Sequence, residues 1–383
     1  MASAYDKFYL PELDALRFFA FLAVFSCHSW DFRHGTNQLV DIGTFGVDLF
    51  FTLSAFLITE LLVQEKEQFG AIDVPAFYVR RILRIWPLYF AFLAVAFLTA
   101  SWWSAPRASW LYFASCAGFI CNFGFYWLGP PSPVIGSLWS ISVEEQFYLS
   151  WPIVLRKLTQ RGVIFAGVLI WAFSICSRWL LVRDGAGSLI EFGTIGRLDP
   201  IACGILLSAF RRSRAWRNPS NAVRLALLPA GLWLWLMADV LAAKGLMVPV
   251  YLVVAMGCAA FMVAIIGFEG WARNEWLCYL GKISYGLYVL HAPVLILVIS
   301  AFGGNHQSWI IPPVALVLTI LLAAASYHWV ETPFLKMKAR FQKIRSGSLG
   351  ENPVPLIIAR HVVQRRDQAV PTTIRRDEVF RGT

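Results

Sequence analysis

Hydrophobic residues along the chain gather into runs of about twenty, the length a helix needs to cross a bilayer, rather than alternating singly as in a half-buried strand. Such runs fall near 13–30, 43–63, 86–104, 110–128, 137–155, 163–182, 193–210, 222–242, 247–268, 284–302 and 310–332. The connectors decide which of them cross. "RRILR" (80–84), "RKLTQR" (156–161), "RRSRAWR" (211–217) and everything from Lys336 onward are basic, whereas 31–41, 183–191 and 302–308 are less so. Basic loops stay on the cytoplasmic side. Putting all four clusters there requires ten crossings and leaves 108–128 as a segment that lies in the interface or re-enters from the outer side. Gly118, Asn122 and Gly124 within that stretch, and Pro130 and Pro131 after it, suit an interrupted helix. Eleven crossings would instead carry the basic tail outside. The pattern therefore predicts an all-α, polytopic transmembrane helix bundle of about ten spans plus one re-entrant or interfacial segment. Residues 1–335 form its membrane domain, 336–383 a basic and partly disordered cytoplasmic tail, and both termini are cytoplasmic.

Composition agrees with this picture. The chain is 58% hydrophobic and 15% charged, where a soluble domain carries charge on roughly a quarter of its residues. Its mean hydropathy is +0.60. A net charge of +10 raises the question of nucleic acid. Residues 336–383, however, hold eleven Lys and Arg against four Asp and Glu, so most of the excess sits beside the last span, where it favours anionic lipid. No aromatic interleaving marks a nucleic-acid surface. The seven cysteines lie mostly in apolar runs without a CxxC spacing and read as small core residues, with no metal site implied. The first apolar run lacks a small-x-small cleavage site and is expected to be retained.

Polar side chains inside these runs are the candidate chemistry, because an ionisable group at the bilayer centre costs at least about 2.5–3.5 kcal/mol and normally faces an internal cavity. Arg17, His28, Asp48, Glu144, Glu145, Arg197, Asp199 and His291 are such groups. Arg17 and His28 are eleven residues apart, so on a helix they share one face about 16 Å apart along the axis. "SLWSISVEEQFYLSWP" (137–152) sets two adjacent carboxylates among aromatics; Glu144 and Tyr148 are i,i+4 neighbours, and Glu145 points about 100° away. A His and a carboxylate meeting in an apolar bundle form either an acid–base pair or a hydrogen-bonded lock between helices. Arg80, Arg81 and Arg84 either present forks to phosphate oxygens or enforce orientation. Asp48 either orders an Arg or His partner or caps its helix. Tyr285, Tyr288 and His291 share "GKISYGLYVLHAPV" (281–294), with His291 read mainly as a structural hydrogen-bonder. No Gly-rich phosphate loop, HExxH or GxSxG elbow is present.

Taken together, "LDALRFFAFLAVFSCH", "FGVDLFFTLSAFLIT", "FYVRRILRIWPLYF", "SLWSISVEEQFYLSWP" and "GKISYGLYVLH" resemble, in order, the motifs of the membrane acyltransferase-3 family. The resemblance covers residues from about 10 to 334. It implies a roughly ten-helix enzyme of the bacterial cytoplasmic (inner) membrane with no permanently bound cofactor. Such an enzyme moves an acyl group, often acetyl, from cytoplasmic acyl-CoA as co-substrate to a hydroxyl of an exported carbohydrate, a glycolipid or a small molecule. On this sequence it implies His28 as catalytic base with Glu144, and with Glu145 beside it. It makes Arg80, Arg81 and Arg84 donor-phosphate contacts and Arg17 an intramembrane support. Asp48, Ser142, Tyr148, Tyr285 and His291 are then substrate or supporting residues, with Ser142, Tyr148 or a backbone amide as oxyanion donor. Ala15 and Ala55 stand where the family often has Gly, and no appended hydrolase domain is expected after the last span. The pantetheine arm would thread past Arg17 so that the thioester meets His28; an acyl-histidine intermediate is the rival chemistry. A transporter or flippase for a lipid-linked or acylated sugar is the alternative reading, and a non-catalytic scaffold ranks last.

Overall fold

The computed structural model describes residues 9–34, 42–100, 110–304 and 308–341. Every regular element among them is helical. The chain runs through α1 (Pro11–His34), α2 (Gly46–Phe69), α3 (Val74–Leu98), two short helices α4 (Trp110–Ala117) and α5 (Cys121–Trp127), and a single turn α6 (Pro133–Gly136). It continues through α7 (Leu138–Leu155), α8 (Gln160–Arg183), α9 (Gly187–Glu191), α10 (Leu198–Arg211), α11 (Asn221–Ala243) and α12 (Met247–Ile265). The last elements are α13 (Glu275–Lys282), α14 (Ser284–Ala301), α15 (Ile311–Ser326) and α16 (Thr332–Lys338).

Among the described residues, seven stretches are long and apolar enough to cross a membrane: those of α2, α3, α8, α11, α12 and α14, and Ile311–Lys338, which contains α15 and α16. The other three expected crossings correspond to α1, α7 and α10, whose sequences carry most of the ionisable residues singled out above. α10 has 14 residues, about 21 Å of helix, which is shorter than the hydrocarbon layer. Burial explains why these three tolerate charge. The polar helices pack inside the bundle, while α11 and Ile311–Lys338, each only 17% buried over their apolar windows, turn Leu225, Trp233 and Leu321 outward.

α2 is the centre of the bundle, 72% buried and packed against α1, α7, α10 and α12. Its approach to α10 is very close. A Cβ on Gly204 would stand 2.4 Å from the carbonyl oxygen of Thr52 and 2.9 Å from the Ala55 methyl. Ala55 is therefore accommodated by a glycine on the facing helix. Gly204→Ala should accordingly cost about 1–3 kcal/mol through forced helix separation, read as a lowered midpoint of thermal unfolding in detergent.

Two expectations from the sequence change at their edges. α3 begins at Val74, twelve residues before the apolar run at 86, because Asp73 caps it by accepting from the Ala76 amide at 3.1 Å and Pro75 occupies its first turn. Arg80, Arg81 and Arg84 thus stand within a helix rather than in a connector. Lys336, Met337 and Lys338, assigned to the tail, belong to α16, which packs against α3. Residues 342–383 lie outside the described ones. The stretch 110–128 divides into helices of 8 and 7 residues, neither able to span a bilayer. They meet at Phe119, a non-glycine residue at φ 54. Gln146 on α7 holds that turn, donating to the Phe119 carbonyl at 2.8 Å and to the Asn122 side chain at 3.0 Å.

Two ion pairs bind the interior. Arg197 meets both carboxylate oxygens of Asp48 at 3.0 and 2.8 Å, donates to the Glu191 carbonyl at 2.6 Å, and lies 4.1 Å from the Tyr251 ring centroid. Arg178, fully buried, forks onto Asp199 at 2.6 and 3.0 Å, with Ser174 and Trp171 completing the carboxylate's shell. Asp48, expected as a supporting residue of the site, pairs with Arg197 and so links α2 to the turn before α10.

Candidate active site

His28 lies near the end of α1 and is only partly buried, whereas His291, in the middle of α14, is fully buried. His28 Nδ1 and His291 Nε2 are 2.8 Å apart, and the two ring planes differ by 4° with centroids 5.1 Å apart. Rings whose centroids are that far apart while two of their nitrogens touch lie edge to edge in a shared plane, the alignment an in-plane lone pair requires. His291 Nδ1 is 2.6 Å from the Tyr288 carbonyl oxygen. A carbonyl only accepts, so Nδ1 of His291 carries hydrogen and its Nε2 presents a lone pair to the N–H of His28. His28 Nε2 is then left as the unprotonated, basic nitrogen. The arrangement orients His28 and fixes its tautomer as a carboxylate partner would, without placing a negative charge there.

Glu144, the expected partner of His28, is engaged elsewhere. It accepts from Ser54 of α2 at 2.8 Å and from Tyr148, one turn later on α7, at 3.0 Å. Both belong to the lining of a cavity of about 160 Å³ enclosed by α1, α2, α3, α7, α14 and α16. Glu145 turns away from it, accepting from the Trp86 indole at 3.3 Å with its other oxygen buried and unpartnered. The 100° step between adjacent helical residues separates the pair as the sequence predicts; only Glu144 reaches the cavity. Ser142, expected as a possible oxyanion donor, does not line the cavity; its hydroxyl is 3.2 Å from the Cys121 sulfur in the broken helix. Two residues earlier, Ser140 lines the cavity and donates to the Tyr288 hydroxyl at 2.8 Å.

The arginines gather at the far end of the cavity. Arg80 is ion-paired with Glu65 at 3.0 Å and donates to the Phe341 carbonyl at 2.8 Å. Arg81 lies over the rings of Phe77 and Tyr148, 5.3 and 5.4 Å from their centroids, and its Nε is buried without a partner. Arg84 and Lys338 line the same space, and neither has a hydrogen-bond acceptor among the described residues. Arg17 is ion-paired with Asp14, which also accepts from Tyr9 at 2.9 Å. Tyr285 closes one wall by donating to the Ile85 carbonyl at 2.9 Å.

The cavity stops short of the histidines. Tyr288 and Phe50 line its end, with ring centroids 5.9 Å apart, while neither His28 nor His291 contributes to the lining. Tyr288 therefore serves both sides: its hydroxyl meets Ser140 and its carbonyl holds His291. Ser54, Ser140 and Lys338 had gone unnoticed in the sequence. Ser54 and Ser140 sit within motifs quoted above, and Lys338 is one lysine among the basic residues after the last span.

The model of an acyltransferase domain matches residues 10–328. The chain is 26% identical over 368 residues to a putative O-acetyltransferase of Staphylococcus aureus (strain COL), an alignment covering 86% of this chain and 58% of that protein. It is 28% identical over 361 residues to the putative peptidoglycan O-acetyltransferase YrhL of Bacillus subtilis (strain 168), covering 85% and 55%. With the O-acetyltransferase OatA of Staphylococcus aureus (strain NCTC 8325 / PS 47) identity is 26% over 377 residues, covering 87% and 58%. The chain thus spans somewhat over half the length of these curated relatives. No solved structure matches it.

Proposed function

The chain belongs to the acyltransferase-domain family, and from that premise we propose that it is an integral-membrane O-acyltransferase using His28 as general base. The donor is a cytoplasmic acyl-CoA, most simply acetyl-CoA, and the acceptor is a hydroxyl of an exported carbohydrate or glycolipid. The observation that carries this reading is the relay from the Tyr288 carbonyl through His291 to His28, beside a cavity whose opposite end is cationic. The relatives named as O-acetyltransferases support acetyl as the group moved. The basic connectors support an inner-membrane placement with both termini cytoplasmic.

In this mechanism the nucleotide end of the donor stays among the cations, and the pantetheine arm runs along the cavity toward Tyr288. His28 Nε2 removes the proton of the acceptor hydroxyl as its oxygen attacks the thioester carbonyl. The C–S bond then breaks, and the departing thiolate takes the proton back from His28. His291 holds the imidazole in position throughout. Glu144, held by Ser54 and Tyr148, is a neighbour of the arm and not the partner of the base.

The test is turnover. Purified protein in nanodiscs, given acetyl-CoA and a hydroxylated sugar, should release CoA thiol only when acceptor is present. Release in a single burst without acceptor would instead indicate an acyl-histidine. His291→Ala should lower kcat by about 10²-fold, near the low end for a general-base contribution. His291→Gln, whose side-chain oxygen can still accept from His28, should recover a large part of that loss. Equal activity of all three proteins would remove the relay from the mechanism.

A further inference from the structure

We propose that Lys338 is an anion-binding residue which, with Arg81 and Arg84, completes a site for a diphosphate group. This inference rests on the donor reading above for the identity of its ligand, but not for the existence of the site. Lys338 is 4% exposed, yet it lines the cavity and has no acceptor among the described residues. Its electrostatic neighbours are Arg84, Arg81 and Arg80, all of its own sign. A buried ammonium surrounded by guanidinium groups is costly unless an anion joins them.

The balance of charge in the cavity points the same way. Its lining holds Arg17, Arg80, Arg81, Arg84 and Lys338 against Asp14, Glu65 and Glu144, an excess of two positive charges. Arg17 and Arg80 are already matched, by Asp14 and Glu65. Glu144 accepts from two hydroxyls. Arg81, with its Nε buried and unpartnered, Arg84 and Lys338 have no hydrogen-bonded carboxylate; behind the wall Glu331 faces Arg84 and Glu145 faces Arg81, whereas Lys338 meets only cations. A diphosphate diester carries two negative charges and offers acceptors on both phosphorus atoms, so it can engage Lys338 together with an arginine fork.

Arg80, expected as a donor-phosphate contact, is held by the protein itself as well. Its second hydrogen bond goes to the Phe341 carbonyl, three residues beyond Lys338. It therefore latches the end of the C-terminal helical turn against α3 and holds Lys338 in the cavity.

A diphosphate could be supplied by a nucleotide-bearing thioester, and a phosphate diester by an anionic lipid head group. The experiment measures binding of CoA and of inorganic pyrophosphate to the full chain in phosphatidylcholine nanodiscs. Four proteins are compared: wild type, Lys338→Met, Lys338→Arg, and the exposed neighbour Lys336→Met. Methionine keeps the apolar stem and removes only the charge, and the arginine variant controls for packing. Lys338→Met should weaken binding of both anions about tenfold or more, while Lys338→Arg stays within a few-fold and Lys336→Met is unchanged. Displacement of pyrophosphate by added phosphatidylglycerol, abolished in Lys338→Met, would support the site with a lipid head group as its occupant. Pyrophosphate binding through Lys338 without any binding or turnover of acyl-CoA would keep the site and overturn the donor reading. Binding of both anions unaffected by Lys338→Met, or binding of neither by the wild type, overturns the inference.

Discussion

His28→Ala is expected to lower kcat by about 10²–10⁴-fold, the span that a positioned general base contributes. The alanine variant also leaves His291 Nε2 without the N–H that now meets it at 2.8 Å, a cost of about 1–3 kcal/mol for a buried polar atom. Its loss of activity therefore mixes chemistry with local rearrangement. His28→Asn separates the two. An asparagine amide can still donate toward His291, but it cannot take up a proton at neutral pH. The asparagine variant should unfold at the wild-type temperature and remain as inactive as the alanine variant. Thiol release from acetyl-CoA with a sugar acceptor is the measurement. Retention of more than a tenth of wild-type kcat by His28→Asn would exclude His28 as the base.

The second large effect concerns stability. Arg197→Met should destabilise the bundle by about 3–5 kcal/mol, because it strands a buried carboxylate. Asp48 is 0% exposed and Arg197 4%, so water cannot take over the lost partner. Removing Arg197 also frees the Glu191 carbonyl that it meets at 2.6 Å and uncovers the face of Tyr251. The double variant Asp48→Leu/Arg197→Met removes both charges and should regain most of the loss. Arg183→Met provides the contrast: its pairing with Asp184 is exposed on both sides, and such a pair contributes at most about 1 kcal/mol. Thermal unfolding in detergent, followed by tryptophan fluorescence, ranks the three. A shift for Arg197→Met no larger than that for Arg183→Met would show that the interior pair is hydrated.

Much of the bundle was legible in the sequence because a membrane simplifies the code: a helix facing lipid must be apolar along its whole length. α8, α11, α12 and α15 are legible for that reason. The interruption at 108–128 was legible too, since a Gly- and Asn-bearing stretch followed by two prolines does not favour one continuous helix. The site was legible in its residues but not in its pairings. Periodicity along one helix correctly turned Glu144 and Tyr148 toward each other and Glu145 aside. It carries no information on which helix lies opposite. His28 and His291 are 263 positions apart, and only the packing of α14 on α1 brings them together, so a carboxylate seemed the natural partner. The start of α3 was obscured because three arginines interrupt the apolar run. All three are partly buried and line one cavity, a placement that costs free energy unless the charges there are matched. Lys338 was hidden for a related reason: nothing in a string of lysines and arginines reveals that one of them folds back inside.

The Tyr288–Ser140 contact has a consequence for the energetics of the cell. Bacterial membranes store work as a difference in proton concentration, and a continuous file of water past the ionisable groups of this bundle would drain it. Phenol and hydroxyl, 2.8 Å apart beside Phe50, close the cavity short of the imidazoles. On the proposed reaction this contact would part only when a donor arm reaches it, so the empty bundle would not conduct protons.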